Sequence, residues 1–245
     1  MKVKRGIDQI VRALTLSTPF AIGARWDSYA HCVIMSVTGA CALNHFGVKA
    51  QPTLCATVLI NERESLNGSF GLTPKQVYDR MCWDGFERQS FEDWYVDHPF
   101  SLPSDLEDAI HCVIHVPQGS RSFLLADLTF GQLRSVFPSA NTPLHLVVRG
   151  PKWPQAEVGD WRIKYEPSSQ RKEFLKRVRS DMRKLAHNQS GLVSDLTDLM
   201  GLALDVDCDF DRFRDELKYL AGHELWSRVS QNLRTALRVP ESDFE

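Results

Sequence analysis

The chain has 245 residues, of which 43% are hydrophobic and 24% charged. That is the composition of a globular protein, not a disordered segment, and the length suits one large domain or a core with a smaller addition. The formal net charge of -2 provides no overall field to recruit nucleic acid or an anionic membrane.

Met1-Lys2-Val3-Lys4-Arg5 opens the chain like a signal n-region, but Asp8, Gln9 and Arg12 interrupt any apolar run that could follow. No stretch of about 18 apolar residues occurs, so no membrane-crossing helix is expected. Ile7, Ile10, Val11 and Leu14 predict an N-terminal helix within residues 1–22, with a turn at Pro19. Val33, Ile34, Val37, Ala40, Cys41 and Phe46 recur at helical spacing and predict a second helix from about Ser28 to His45. Ser28 is its expected N-cap and Gly47 its stop.

Residues 49–61 read as a strand. Thr73-Pro74 predicts the start of a short helix reaching about Cys82, and the aromatic, charged stretch from Asp84 to Pro103 a long loop. Strands are expected at 109–116, 122–127, 144–149 and 161–165. Pro117-Gln118-Gly119-Ser120 makes the first two of these a hairpin. Helices are expected near 168–187, 191–204 and 210–238. The pattern is therefore α+β: a core over residues 1–166 with an antiparallel sheet, then a helical region over 167–245.

Three residues carry the chemistry. Cys32 opens an apolar helical stretch, His111 opens a strand, and Asp127 ends the next strand. A helix N-terminus favours a thiolate through its free N–H groups and dipole. An imidazole can hold the thiol proton and return it to a leaving group, and a carboxylate can fix the imidazole tautomer. In an antiparallel hairpin the start of one strand lies beside the end of its partner, which brings His111 to Asp127. Six cysteines and eight histidines also allow accidental triples, so a core thiol, an edge histidine and a turn-capping aspartate form the competing structural reading.

The spacing around these residues resembles the core motif of transglutaminase-like proteins. In that family a nucleophilic cysteine opens a helix and a Gly-(Ile/Val)-x-Ala element follows. Here Gly47-Val48-Lys49-Ala50 begins fifteen residues after Cys32. His111-Cys112-Val113-Ile114-His115-Val116 resembles the family's His-plus-strand motif, and Asp127-Leu128-Thr129, sixteen residues after His111, resembles its Asp-x-Thr motif. The chain departs from the pattern at Val113, at Tyr29-Ala30-His31 before the cysteine, and at Lys49 and Gln51. The resemblance covers roughly residues 25–165. It implies the papain-like cysteine-proteinase fold, with the nucleophile's helix packed on an antiparallel sheet. It also implies a cytoplasmic thiol hydrolase or acyltransferase acting through Cys32, His111 and Asp127. Its substrate would be a peptide, protein or small-molecule amide or thioester.

Other residues offer weaker alternatives. His31 adjoins Cys32 but points about 100° away on a helix. His115 shares a strand face with His111 and is the rival base, whereas Cys112 faces the other way. Trp26, Asp27, Ser28, Tyr29 and the more remote Gln9 are candidates for completing an oxyanion hole. Asp205, Asp207, Asp209 and Glu216 mimic a calcium loop, but Phe210 stands where that loop needs glycine, so helix caps explain the run. The cysteines are scattered without a C-x-x-C pair, as expected of reduced cytosolic thiols with no metal site. No phosphate-binding glycine loop is present, and no cofactor is expected. Two non-catalytic alternatives stand beside the enzyme: an interaction module that meets a protein partner through the C-terminal helices, and a nucleic-acid binder using the basic segment 171–184.

Overall fold

The computed structural model describes residues 6–25, 32–61, 66–70, 111–118, 122–132, 145–150, 155–158, 161–167, 187 and 189–237. They form a mixed α and β structure. Its α-helices are α1 (Ile7–Gly23), α2 (Cys32–His45), α3 (Ser190–Asp205) and α4 (Phe210–Leu237). Its strands are β1 (Gln51–Asn61), β2 (Leu66–Phe70), β3 (His111–Gln118), β4 (Ser122–Asp127), β5 (Leu146–Gly150), β6 (Gln155–Val158) and β7 (Trp161–Pro167). The helix expected at Thr73–Cys82, the Asp84–Pro103 stretch, residues 168–186 of the helix expected near 168–187 with its basic segment, and Ser28 lie outside the described residues.

All seven strands join one antiparallel sheet: six follow the order β5-β4-β3-β1-β7-β6, and β2 lies off that path, paired with β1. β1 organises it. One edge of β1 pairs first with β3 (Gln51–Cys55) and then with β2 (Thr57–Asn61), and the other edge pairs with β7. β2 and β6 were not foreseen; both are short, and neither Leu66–Phe70 nor Gln155–Val158 shows a long β-branched run.

Strand alternation sorts the two faces. Ile114 pairs with Ala126 and Val116 with Leu124, and these four join Leu128 in the core shared with α1, α2 and α3. Helix and sheet approach closely at Gly39 of α2. A Cβ there would sit 2.8 Å from Cδ1 of both Ile114 and Leu128, so the absence of a side chain lets helix and sheet close on each other. α3 lies against α1 and α2, and α4 against α1. Leu192, Leu196, Met200, Phe213 and Val229 extend the same core.

The turn expected at Pro19 does not form; α1 runs through Pro19 to Gly23. Proline removes one amide donor, but Phe20, Ala21 and Ile22 beyond it are buried. Phe20 meets Phe213 edge-on at 5.4 Å and stacks on Trp226 at 5.8 Å. Tertiary contacts therefore hold the last turn in place.

Gly47 stops α2 as expected. Its φ is 79°, and Gly47 N–H and Val48 N–H donate to the Asn44 and Leu43 carbonyls, both at 3.0 Å, closing the helix end. The Asn44 amide then donates to the Ala50 carbonyl at 3.0 Å and accepts the Ala50 N–H at 3.3 Å. This clamp sets the angle at which β1 leaves the helix. At the end of α3, Asp207 (φ 56°) and Cys208 (φ 57°) turn the chain. Asp209 Oδ1 accepts the Arg212 N–H at 2.9 Å. The acidic run thus ends one helix and caps the next.

Candidate active site

Helix α2 tracks strand β3. Ser36 Oγ donates to the Cys112 carbonyl at 2.8 Å, and Gly39 meets Ile114 one turn later. The seven helical steps from Cys32 to Gly39 span about 10 Å, as do the three strand steps from His111 to Ile114. Cys32, the first residue of α2, therefore stands at the start of β3, where His111 is the first strand residue.

The hairpin supplies the carboxylate. With Ile114 opposite Ala126, Asp127 falls opposite Val113, two residues from His111 and on the same face. His111 Nε2 lies 2.6 Å from Asp127 Oδ2, and both side chains are 1% exposed. Cys32 is hydrogen-bonded to the His111 ring and to the Cys112 backbone. With Nε2 committed to Asp127, Nδ1 is the ring nitrogen left to face the thiol.

The electrostatics follow from this arrangement. Burial works to raise the Cys32 thiol, but the hydrogen bond and charge of His111, with the Cys112 amide, outweigh it and leave the thiol below its ordinary 9.0. Burial likewise works to lower His111, yet the charge and hydrogen bond of Asp127, with help from Cys32, hold it at about 10. Both shifts favour the charged forms, a thiolate beside an imidazolium. Burial pushes Cys41, Cys55 and Cys112 the other way, above 9.0. These three have no imidazole to offset the loss of water, so the environment singles out Cys32.

The three expected residues come together. His115 does not join them; it lies against Phe123, ring centroids 4.8 Å apart, and is not among the groups that shift Cys32. Cys112 is fully buried on the α2 side, beside Ser36. Trp26, Asp27, Ser28, Tyr29 and His31 lie outside the described residues, and Gln9 uses its backbone carbonyl to accept from Cys208 Sγ at 3.5 Å.

Sequence reasoning missed two contributors. The Cys112 backbone leaves no trace in residue type. Tyr165 on β7 donates its hydroxyl to Asp127 Oδ2 at 2.9 Å. β7 is separated from β4 by β1 and β3, about 14 Å in a flat sheet, so the sheet curls toward this face. Thr129 N–H donates to Asp127 Oδ1 at 3.1 Å, which gives the carboxylate three donors among the described residues.

Among the described residues, no helix is long and apolar enough to cross a membrane and no cluster of His, Cys, Asp or Glu could hold a metal ion. A groove of about 730 Å³ runs between α1, α3 and α4, lined by Phe20, Leu199, Leu217 and Trp226 among others. None of Cys32, His111, Asp127 or Tyr165 lines it. No family model, curated protein or solved structure matches the chain.

Proposed function

We propose that the chain is a cysteine hydrolase or acyltransferase with a transglutaminase-like, papain-like core, working in the cytoplasm on an amide or thioester of a peptide, protein or small molecule. The observation that carries this reading is the hydrogen-bonded series Cys32–His111–Asp127, in which the thiol is lowered and the imidazole raised. A thiol helix lying on one face of an antiparallel sheet supports the fold assignment.

In this reading the Cys32 thiolate attacks the acyl carbon and a carbon–sulfur bond forms. The His111 imidazolium gives its proton to the departing amine or thiol as the substrate's own scissile carbon–nitrogen or carbon–sulfur bond breaks. Water or an amine then attacks the acyl-enzyme and passes its proton to His111, and the carbon–sulfur bond breaks. Asp127 keeps Nε2 protonated and Nδ1 aimed at the sulfur throughout.

Incubation with a small aryl thioester tests it. An acyl group mapping to the Cys32 peptide is expected, together with turnover that vanishes in Cys32→Ala and falls at least about 100-fold in His111→Ala. Acyl groups spread over several thiols, or turnover that survives Cys32→Ala, would refute the enzyme and favour a binding module that retains the fold.

A further inference from the structure

We propose that Tyr165 is a positioning residue for the Cys32–His111–Asp127 site: its buried hydroxyl, bonded to the same Asp127 oxygen that holds His111, fixes the direction from which the carboxylate meets the ring. The inference rests on the catalytic reading of that site.

A carboxylate turns freely about its last torsion, which has broad wells. Asp127 is pinned at both ends. Thr129 N–H holds Oδ1 and Tyr165 O–H holds Oδ2. With two anchors the carboxylate plane is set before the imidazole arrives, and Oδ2 offers Nε2 one approach, at 2.6 Å. The Thr129 anchor is backbone and comes with the hairpin. The Tyr165 anchor comes from β7, far from β4 in the strand order, so it is a separate commitment of the fold.

Tyr165 is suited to the role. It is 1% exposed, so no water competes for its hydroxyl. Burial first, and then the charge of Asp127, raise its hydroxyl well above the usual 10. It therefore stays a donor across the working range and never presents a second negative charge to Asp127. Its strand partner is Thr57 on β1, whose neighbour Cys55 pairs with His111. Tyr165 thus ties the carboxylate to the strand that flanks the histidine.

Tyr165→Phe keeps the ring and removes only the hydroxyl. The readout is the pH dependence of iodoacetamide labelling at Cys32, measured by peptide mass mapping. Asp127→Asn serves as the sensitivity control, and a thermal melt confirms that each variant is folded. In the wild-type chain the acid limb should lie below the ordinary thiol range. In Tyr165→Phe it should move up by about 0.5–1 pH unit, slowing labelling at pH 6 by roughly 3- to 10-fold, because a bond to a charged group is lost and part of it reaches the histidine. A purely structural role would lower the melting temperature and leave the limb in place; that result overturns the proposal. If the wild-type limb itself lies near pH 8.5–9, as for a free thiol, the catalytic reading falls and the role of Tyr165 falls with it. Should Tyr165→Phe fail to fold, Tyr165→Met, which also lacks the donor and adapts to an irregular cavity, takes its place: a limb that moves up relative to wild type upholds the role, and an unmoved limb refutes it.

Discussion

Replacing Asp127 with asparagine keeps the shape of the side chain and removes its charge. His111 is held at about 10 against a free value of 6.5, a difference worth about 5 kcal/mol. Desolvation opposes this, and the charge and hydrogen bond of Asp127 are the two largest contributions in favour, ahead of Cys32. Assigning about 3 kcal/mol of the net to the carboxylate charge corresponds to a roughly 100-fold loss of the thiolate–imidazolium pair. Asp127 also repels the Cys32 thiolate directly, but that is the smallest of the influences on the thiol, so support of the imidazolium wins. The sign with pH is fixed. Because His111 is raised, its stabilisation is fully present below pH 6.5 and disappears as the pH climbs through about 10. Because Cys32 is lowered, its contribution is present above pH 9 and fades as the pH falls through its folded value. Iodoacetamide labelling of Cys32 in Asp127→Asn should therefore be slower by roughly 100-fold at pH 6.5 and should approach the wild-type rate above pH 10. A difference under about 5-fold at pH 6.5 in a folded variant would show that the carboxylate does not sustain the pair.

His115→Ala should leave Cys32 labelling within about 2-fold of wild type, since its ring lies against Phe123 instead of the sulfur; a His111-sized effect would transfer the base role to it. Gly39→Val should lower stability by at least about 2 kcal/mol in urea unfolding, because its Cβ alone would come within 2.8 Å of Ile114 and Leu128. An unchanged midpoint would mean that α2 does not sit so close to the sheet. Asp209→Ala should cost about 1 kcal/mol by removing the cap on Arg212 N–H, and calcium should leave the melting temperature of the wild-type chain unmoved; a calcium-dependent rise would restore the metal reading of the acidic run.

Local signals were legible where one element carries them. The apolar period marked α2, Gly47 marked its end, and the Pro117–Ser120 turn implied a hairpin whose register does bring Asp127 to His111. Pro19 misled because propensity describes an isolated chain, and here Phe20 finds Phe213 and Trp226. Tyr165 was invisible for a different reason. It sits 38 residues after Asp127, and the pairing that brings it near is between β7 and β1. Such non-local pairing depends on the whole sheet, which no window of sequence contains. The Cys112 amide was invisible because every residue but proline has one.

The cysteines also give the fold a built-in set of clocks. Cys32 is half-buried with a lowered pKa and should react from the native state, whereas Cys55, Cys112 and Cys208 are at most 1% exposed. Their labelling must wait for the chain to open, and the waiting time measures the free energy of that opening. Cys55 and Cys112 would time the parting of β1 from β3, and Cys208 the release of the α3–α4 corner from α1. One reagent and one mass spectrum per time point would then show whether the sheet and the C-terminal helices come apart together or in turn.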